Sequence, residues 1–409
     1  MRRLIHSFLV LLLASSTAAA ADHTLHLSVG DPARKDRDAP LVLDGITDTR
    51  TGDVLTPAEL PARLAGVRLL LVGESHTDAG FHQAQLRVLQ ELRRSGREVL
   101  VGLEMYPQSE QSWLDAWSDG SLTEEGFLRL SHWYKNWGYN WGYYRDIFLF
   151  ARDERLRLFA LNAPREAVSA VGRKGLAGLT PEEAARIAPR VDTASEEHRA
   201  LFRAFFEDGD PLHAAMPADQ LDRMFQAQCT WDATMGHNAV KALKEHGGPG
   251  AVMVVLAGSG HVAYGLGIQR QAAGELDGKA ASVVPVAVRD EGRPVGSVRA
   301  SYADFLWGVP EEGDPVYPSL GLSTAPGEGE AARKVIFVSE KTPAEAAGFQ
   351  AGDVLLTLDG APVTSREALN RALAAKRWGD VALFTVSRGG ATQTLRVVFR
   401  RRQGGAPER

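Results

Sequence analysis

The chain has a single cysteine, Cys229, in 409 residues, so no internal disulfide can brace it. It has no excess of positive charge. With 46 Lys and Arg against 51 Asp and Glu, the net charge is -5, which removes nucleic acid and anionic membrane surfaces as its main expected partners. It also lacks a long apolar run. Phe8-Leu9-Val10-Leu11-Leu12-Leu13 is too short to cross a bilayer, and no other segment reads as transmembrane. No cysteine follows that run, which excludes an acylated lipoprotein.

The N-terminus has the three parts of an export signal. Arg2-Arg3 form a basic start, the apolar run follows, and Ala18 to Ala21 supply small residues for cleavage. Residues 1–21 are therefore expected to be removed near Ala20 or Ala21, releasing a periplasmic protein that begins near Asp22. The neighbours Trp231 and Met235, four residues apart, suggest a half-buried helix and an inert core thiol at Cys229. The length implies two or three domains.

From residue 66 onward, apolar strands alternate with helical stretches. Arg68–Val72, Glu98–Leu103, Leu156–Leu161 and Val252–Ala257 read as strands, Ser282–Val288 as a further one, and Phe81–Arg94 as a helix. Thr180–His246 is helical in pattern. This alternation predicts an α/β domain with a mostly parallel sheet and helices on both faces. The composition shifts after Phe305, and Val309–Pro315 reads as a linker. Beyond it, short strands, one helix near Arg366–Ala375 and a hairpin turning at Gly389-Gly390 predict a small β-rich module. The expected domains are 22–312 and 313–402, with a tail at 403–409.

Two loops carry most of the chemistry. Gly73-Glu74-Ser75-His76 and Gly258-Ser259-Gly260-His261 are both G-x-x-H turns directly after an apolar strand. In an open parallel sheet, ligands bind at the carboxyl ends of the strands, so the two loops are expected to converge on one cleft. Glu104, Asn162 and Arg165 follow the other strands, and His82 starts the first helix. Two histidines with two carboxylates suit a divalent transition metal held by His76 and His261, or a metal-free acid–base set.

Seven of the thirteen residues from His132 to Tyr144 are aromatic. Trp133, Trp137, Trp141, Tyr144 and Phe148 step by four and three, as one packed helix face would. Gly138 and Gly142 speak instead for a pocket wall or lid, suited to a flat apolar ligand.

Together, Gly73–His76 with His82, Leu103-Glu104-Met105, the aromatic stretch, Ala160–Pro164 and Ala257–Val262 resemble the ChaN family of haem-binding uptake proteins over about residues 40–305. That family is grouped with the Tiki proteases and erythromycin esterases. The resemblance implies haem as cofactor, a role in iron acquisition, a tyrosine axial ligand and haem-sharing homodimers. It places Glu74, His76, His82, Glu104, His261 and Tyr264 at the cofactor, with Tyr139 and Tyr106 as other ligand candidates. The alternative is a hydrolase, protease or esterase, using Glu74, His76, Glu104, Arg165 and His261.

The last domain resembles PDZ modules over about residues 315–400. Ser319-Leu320-Gly321-Leu322 matches their carboxylate-binding loop, and Ala347–Leu355 and Leu358-Asp359-Gly360 match patterns common in bacterial members. The resemblance implies that a peptide or protein C-terminus binds at Leu320, Gly321 and Leu322, adding a strand beside Leu322, with Leu369 in the side-chain pocket.

Overall fold

A computed structural model describes residues 23–207, 216–288, 296–327 and 333–401. The export segment, the tail and Glu328–Glu330 lie outside the described residues. The chain divides into two compact units, and Gly313 begins the last stretch of the second. Residues 128–143 belong to that second unit as well, although residues on either side of them belong to the first.

The first unit contains β1 (Asp38–Pro40), β2 (Ile46–Asp48), β3 (Val54–Leu55), β4 (Val67–Glu74), β5 (Val99–Pro107), β6 (Arg157–Asn162), β7 (Val252–Gly258), β8 (Lys279–Val288), β9 (Ser297–Arg299) and β10 (Phe305–Pro310). Eight of them form one sheet in the order β3-β2-β10-β8-β4-β7-β5-β6. Pairing is parallel from β10 to β6 and antiparallel only where β2 and β3 extend the edge. The apolar strands explain the architecture. Every residue of β7 is buried, and in β4 only Arg68 is partly exposed. Strands this apolar need cover on both faces, which helices supply.

Helix α1 (Ala79–Arg94) follows β4. Asp78 caps its start by accepting from the Phe81 N–H at 3.3 Å. Its buried face includes Phe81, His82, Gln85, Val88, Leu89 and Leu92, the expected helical stripe. The long helix Ala218–His246 buries Cys229, whose thiol is held neutral well above the ordinary thiol range by that burial. The expected linker begins too early. Val309 and Pro310 complete β10, which pairs with β8 in the main sheet; two Gly and Pro positions near a strand end mimicked linker composition.

The second unit contains β11 (Leu322–Pro326), β12 (Arg333–Val338), β13 (Val354–Leu358), β14 (Ala361–Pro362), β15 (Val381–Arg388) and β16 (Ala391–Val398). The order is β11-β12-β13-β15-β16, with β14 on β13, so β11 is an edge strand. Gly389 and Gly390 both have positive φ, 58° and 87°, as the tight turn between β15 and β16 requires. Val335, Phe349, Leu355, Leu369, Phe384 and Phe399 make the core.

The aromatic stretch is not one helix. A short turn of helix, Trp133–Asn136, stops before Gly138, whose φ is +91°, and a 3-10 turn covers Trp141–Tyr143. Trp133 and Trp141 are buried edge to face at 4.9 Å within the second unit. Tyr144 and Phe148 are buried in the first. The even helical spacing therefore serves two different cores.

Candidate functional site

The sheet order makes β4 and β7 neighbours, in a register that pairs Glu74 with Gly258. On the other side of β7, Leu103 of β5 pairs with Leu256. Both G-x-x-H loops and Glu104 thus leave the sheet side by side. An added Cβ at Gly258 would lie 3.0 Å from Cε1 of His76 and 3.6 Å from a Glu104 oxygen, so this glycine is what allows His76 to close over the strand end.

Glu74 is fully buried and surrounded by donors. His76 Nδ1 lies 2.7 Å from its Oε1, His82 Nε2 lies 3.1 Å from its Oε2, and the Tyr144 hydroxyl donates to both oxygens at 3.0 and 3.1 Å. Gln85 fixes His82 from below: its Oε1 is 3.3 Å from His82 Nδ1 while its amide donates to the Val72 carbonyl at 3.2 Å. His76 keeps 13% of its side chain exposed and is the part of this cluster that reaches solvent.

His261 is held at both nitrogens. Nδ1 lies 2.6 Å from Asp232 Oδ1, and Nε2 lies 3.3 Å from Glu104 Oε1. The Gln228 amide stands 3.0 Å from the same Nδ1, and the Gly258 N–H donates to the second Glu104 oxygen at 2.6 Å. Asp232 also faces His198, with 3.5 Å between Oδ2 and Nε2. The result is a buried chain, His198–Asp232–His261–Glu104, in which Asp232, His261 and Glu104 alternate in charge, while burial lowers the His198 pKa and favours its neutral form.

Burial alone would disfavour both charges. The facing groups win: Glu104 is pulled down to about 2, chiefly by the charge and hydrogen bond of His261, then by His76 and the Gly258 N–H. His261, for which burial works downward, is lifted to about 10 by Glu104 and Asp232. His76 is raised as well; burial opposes this, and the charge and hydrogen bond of Glu74 prevail.

These shifts predict a stability profile. The raised His261 contributes fully below its ordinary 6.5, and that contribution fades as pH rises toward about 10. The lowered Glu104 contributes fully above its ordinary 4.5 and fades as pH falls toward about 2. Urea midpoints measured across pH should therefore be highest between those ordinary values and fall on both sides, and a Glu104→Gln variant should lose most of the acid limb.

Asp232, Gln228, Gln85 and His198 were not singled out by sequence, and Tyr144 was named only as part of the aromatic stretch. The available signal for Asp232 is a lone carboxylate within the apolar helical stretch Cys229–Met235, four residues after Gln228. Other expected residues lie elsewhere. Tyr264 is buried with φ of +60°; its hydroxyl donates to the Thr24 carbonyl at 2.7 Å and accepts from the Leu27 N–H at 2.9 Å. Burial raises its ionisation above the ordinary phenol range, the reverse of what a tyrosinate ligand needs. It is a strut for the N-terminal segment and is not brought to the cluster. Tyr106 is buried against Phe127, and Tyr139 lies in the second unit, 5.4 Å from Trp137. Asn162 donates to the Glu104 carbonyl at 2.8 Å and so shapes the loop, and Arg165 begins the helix Arg165–Lys174. Among the described residues, no group of three or more His, Cys, Asp or Glu is arranged to hold a metal ion. His261 could join one only by giving up Asp232 or Glu104.

In the second unit, Gly321 has φ of +80°, and an added Cβ would lie 2.3 Å from Thr342. Only glycine fits there. The Leu320 carbonyl accepts from Ala344 and the Gly321 carbonyl from Ser339, which leaves the loop bent ahead of Leu322 at the start of edge strand β11. Leu369 is buried in the core of the helix Arg366–Ala374 and its neighbours.

The chain thus combines an α/β sheet carrying paired histidine loops at its strand ends with a small β-rich unit whose bent Gly321 loop leads into an edge strand. Residues 60–271, just over half of the chain, match the family described as haem-binding uptake, Tiki superfamily, ChaN, and residues 318–398 match the PDZ domain. The chain belongs to the ChaN haem-binding uptake family and carries a C-terminal PDZ domain. A relative in Arabidopsis thaliana, the chloroplastic protein RETICULATA-RELATED 5, is 25% identical over 263 residues, covering 60% of this chain and 34% of that protein. The chain thus spans about a third of that protein's length. Among solved structures, ChaN of Campylobacter jejuni with cofacial haem is 19% identical, covers 65% of this chain and 98% of its own, and has a TM-score of 0.49. The HtrA-type protease AlgW with a decapeptide is 25% identical, covers 20% of this chain and 28% of its own, and has a TM-score of 0.19. Among the described residues, no helix is long and apolar enough to cross a membrane.

Proposed function

We propose that the protein is exported to the periplasm, binds haem in the first unit as part of haem and iron uptake, and recruits a protein C-terminus through its PDZ domain. The observation that carries this reading is the family match over residues 60–271, which includes all of Glu74, His76, Glu104, Asp232 and His261. The residues at the sheet ends fit an iron porphyrin in their donor chemistry. A haem needs an imidazole, thiolate, thioether or phenolate on iron. His76 offers an imidazole with exposed surface, oriented by a carboxylate on its other nitrogen; the same carboxylate raises its pKa, so iron would compete with a proton for this ring. The buried Ser259 hydroxyl, beside Gly73 and Val284, has no hydrogen-bond partner among the described residues. His76 therefore replaces Tyr264 as the axial candidate, with His82, Glu74 and Tyr144 positioning it. Bound haem would supply ligand exchange at iron, and homodimers sharing haem belong to this reading.

A hydrolase is the alternative reading. A general base works best with a pKa near the working pH; Glu104 at about 2 and His261 at about 10 lie far from it, so His76 would be the base. The test is a haemin titration of the chain from Asp22 onward. A saturable, shifted Soret band is expected. A spectrum identical to free haemin, together with turnover on peptide or ester substrates, would replace haem binding with hydrolysis.

A further inference from the structure

In a PDZ domain, a peptide adds as a strand to an exposed sheet edge and lays its side chains against a neighbouring helix. Here the edge is β11 and the helix is α2 (Arg366–Ala374), capped by Ser365, which accepts from the Ala368 N–H at 3.1 Å. Leu369, Ala372 and Leu373 pack into the module's core, and Arg366, Asn370 and Ala374 line up beside that face at i, i+4 and i+8. At the sheet edge, Arg333, at the start of β12, donates to the Thr324 carbonyl at 2.9 Å and to its hydroxyl at 2.8 Å, on β11.

The same side is already engaged by the chain itself. Asn370 Nδ2 donates to the Tyr134 carbonyl at 3.0 Å, and Asn140 Nδ2 donates to the Ala374 carbonyl at 2.9 Å. Gly138 passes so close that an added Cβ would lie 2.7 Å from Asn370 Nδ2 and 3.3 Å from an Arg366 nitrogen. His132 Nδ1 lies 3.7 Å from Glu367, one turn earlier. At the other end, Tyr143 packs edge to face on Tyr317 at 5.0 Å, and the Tyr317 N–H donates to its hydroxyl at 3.2 Å, just before the Ser319–Leu322 loop. The contacts run the length of α2.

We propose that the segment Trp133–Tyr143 is an intramolecular occupant of the PDZ groove, which a C-terminal peptide must displace to bind. The inference rests on the reading that this groove takes a protein C-terminus, and it adds that the groove is self-restrained. An occupant from the same chain lowers apparent affinity by the fraction of time it is seated. The aromatic spacing that looked like a pocket wall would then be a regulatory strap.

The experiment uses the full mature chain and a Gly138→Val/Asn140→Ala variant. Both substitutions lie in the segment and leave α2 and β11 untouched; valine at a φ of +91° and against Asn370 is forced away. Fluorescent decapeptides with a free carboxylate and an apolar last residue are titrated by anisotropy, with amidated copies as controls. The variant is expected to bind the free-carboxylate peptides about tenfold or more tightly than the wild type. Equal affinities would overturn self-restraint while leaving peptide binding intact. Binding by neither protein would overturn the peptide reading of the groove, and the inference with it. Hydrogen exchange supplies the independent check: amides of Arg366–Ala374 should exchange faster in the variant, with β4 and β7 unchanged as proof of folding. Unchanged exchange in α2 would show that the segment is not seated there.

Discussion

His261→Ala is expected to destabilise the α/β unit by about 3–5 kcal/mol, the usual cost of removing one member of a buried ion pair. His261 is fixed between Asp232 at 2.6 Å and Glu104 at 3.3 Å, and all three side chains are buried. Without the imidazolium, two carboxylates face each other across the space it leaves. Neither can reach water, so one must take up a proton or the strand end must open. Set against a typical total of roughly 5–15 kcal/mol, this is a large loss. Urea unfolding should show a lower midpoint at unchanged slope. Adding Asp232→Asn to His261→Ala should recover part of the loss, because one uncompensated charge is gone; additive losses would show that the two residues are not coupled. A midpoint for His261→Ala equal to the wild type would refute the buried network.

The second large effect concerns haem. His76→Ala should abolish the shifted Soret band and weaken haemin binding about 100-fold, or roughly 2.7 kcal/mol. The protein should stay folded, because His76 is partly exposed and its loss leaves Glu74 with His82 and Tyr144 as donors. Tyr264→Phe gives the opposite pattern. It should leave the haem spectrum unchanged while costing about 1–3 kcal/mol of stability, since the Thr24 carbonyl and Leu27 N–H lose a buried partner. A lost spectrum in Tyr264→Phe with a normal one in His76→Ala would reverse the assignment of the axial ligand.

Much of the site was legible because local rules apply to it. An apolar strand must be buried, and the loop after it must emerge at the sheet's carboxyl edge, so Glu74, His76, Glu104 and His261 could be collected from sequence alone. Cys229 was legible for a similar reason: its apolar neighbours recur at helical spacing. Tyr264 misled because it lies three residues after His261, and nearness along the chain says little where the backbone turns sharply. At φ of +60° the turn points its ring toward Thr24 and Leu27. The aromatic stretch misled for a different reason. Regular spacing reports a periodic conformation only if the chain keeps that conformation, and Gly138 breaks it.

The sequence by itself determined the main elements: the strands β4 to β8, the loops that carry histidine, and where the β-rich module lies. These follow from side-chain periodicity and backbone sterics within a few residues. Tertiary structure alone decided the partners. Strand order put β7 between β4 and β5, and so set Glu104 beside His261 and Gly258 beside His76. Packing of the long helix brought Asp232 beneath His261 from 29 residues away. Charge state followed from that encounter, because a buried ionisable group takes its pKa from whatever charge it meets, and no local pattern specifies which one that will be.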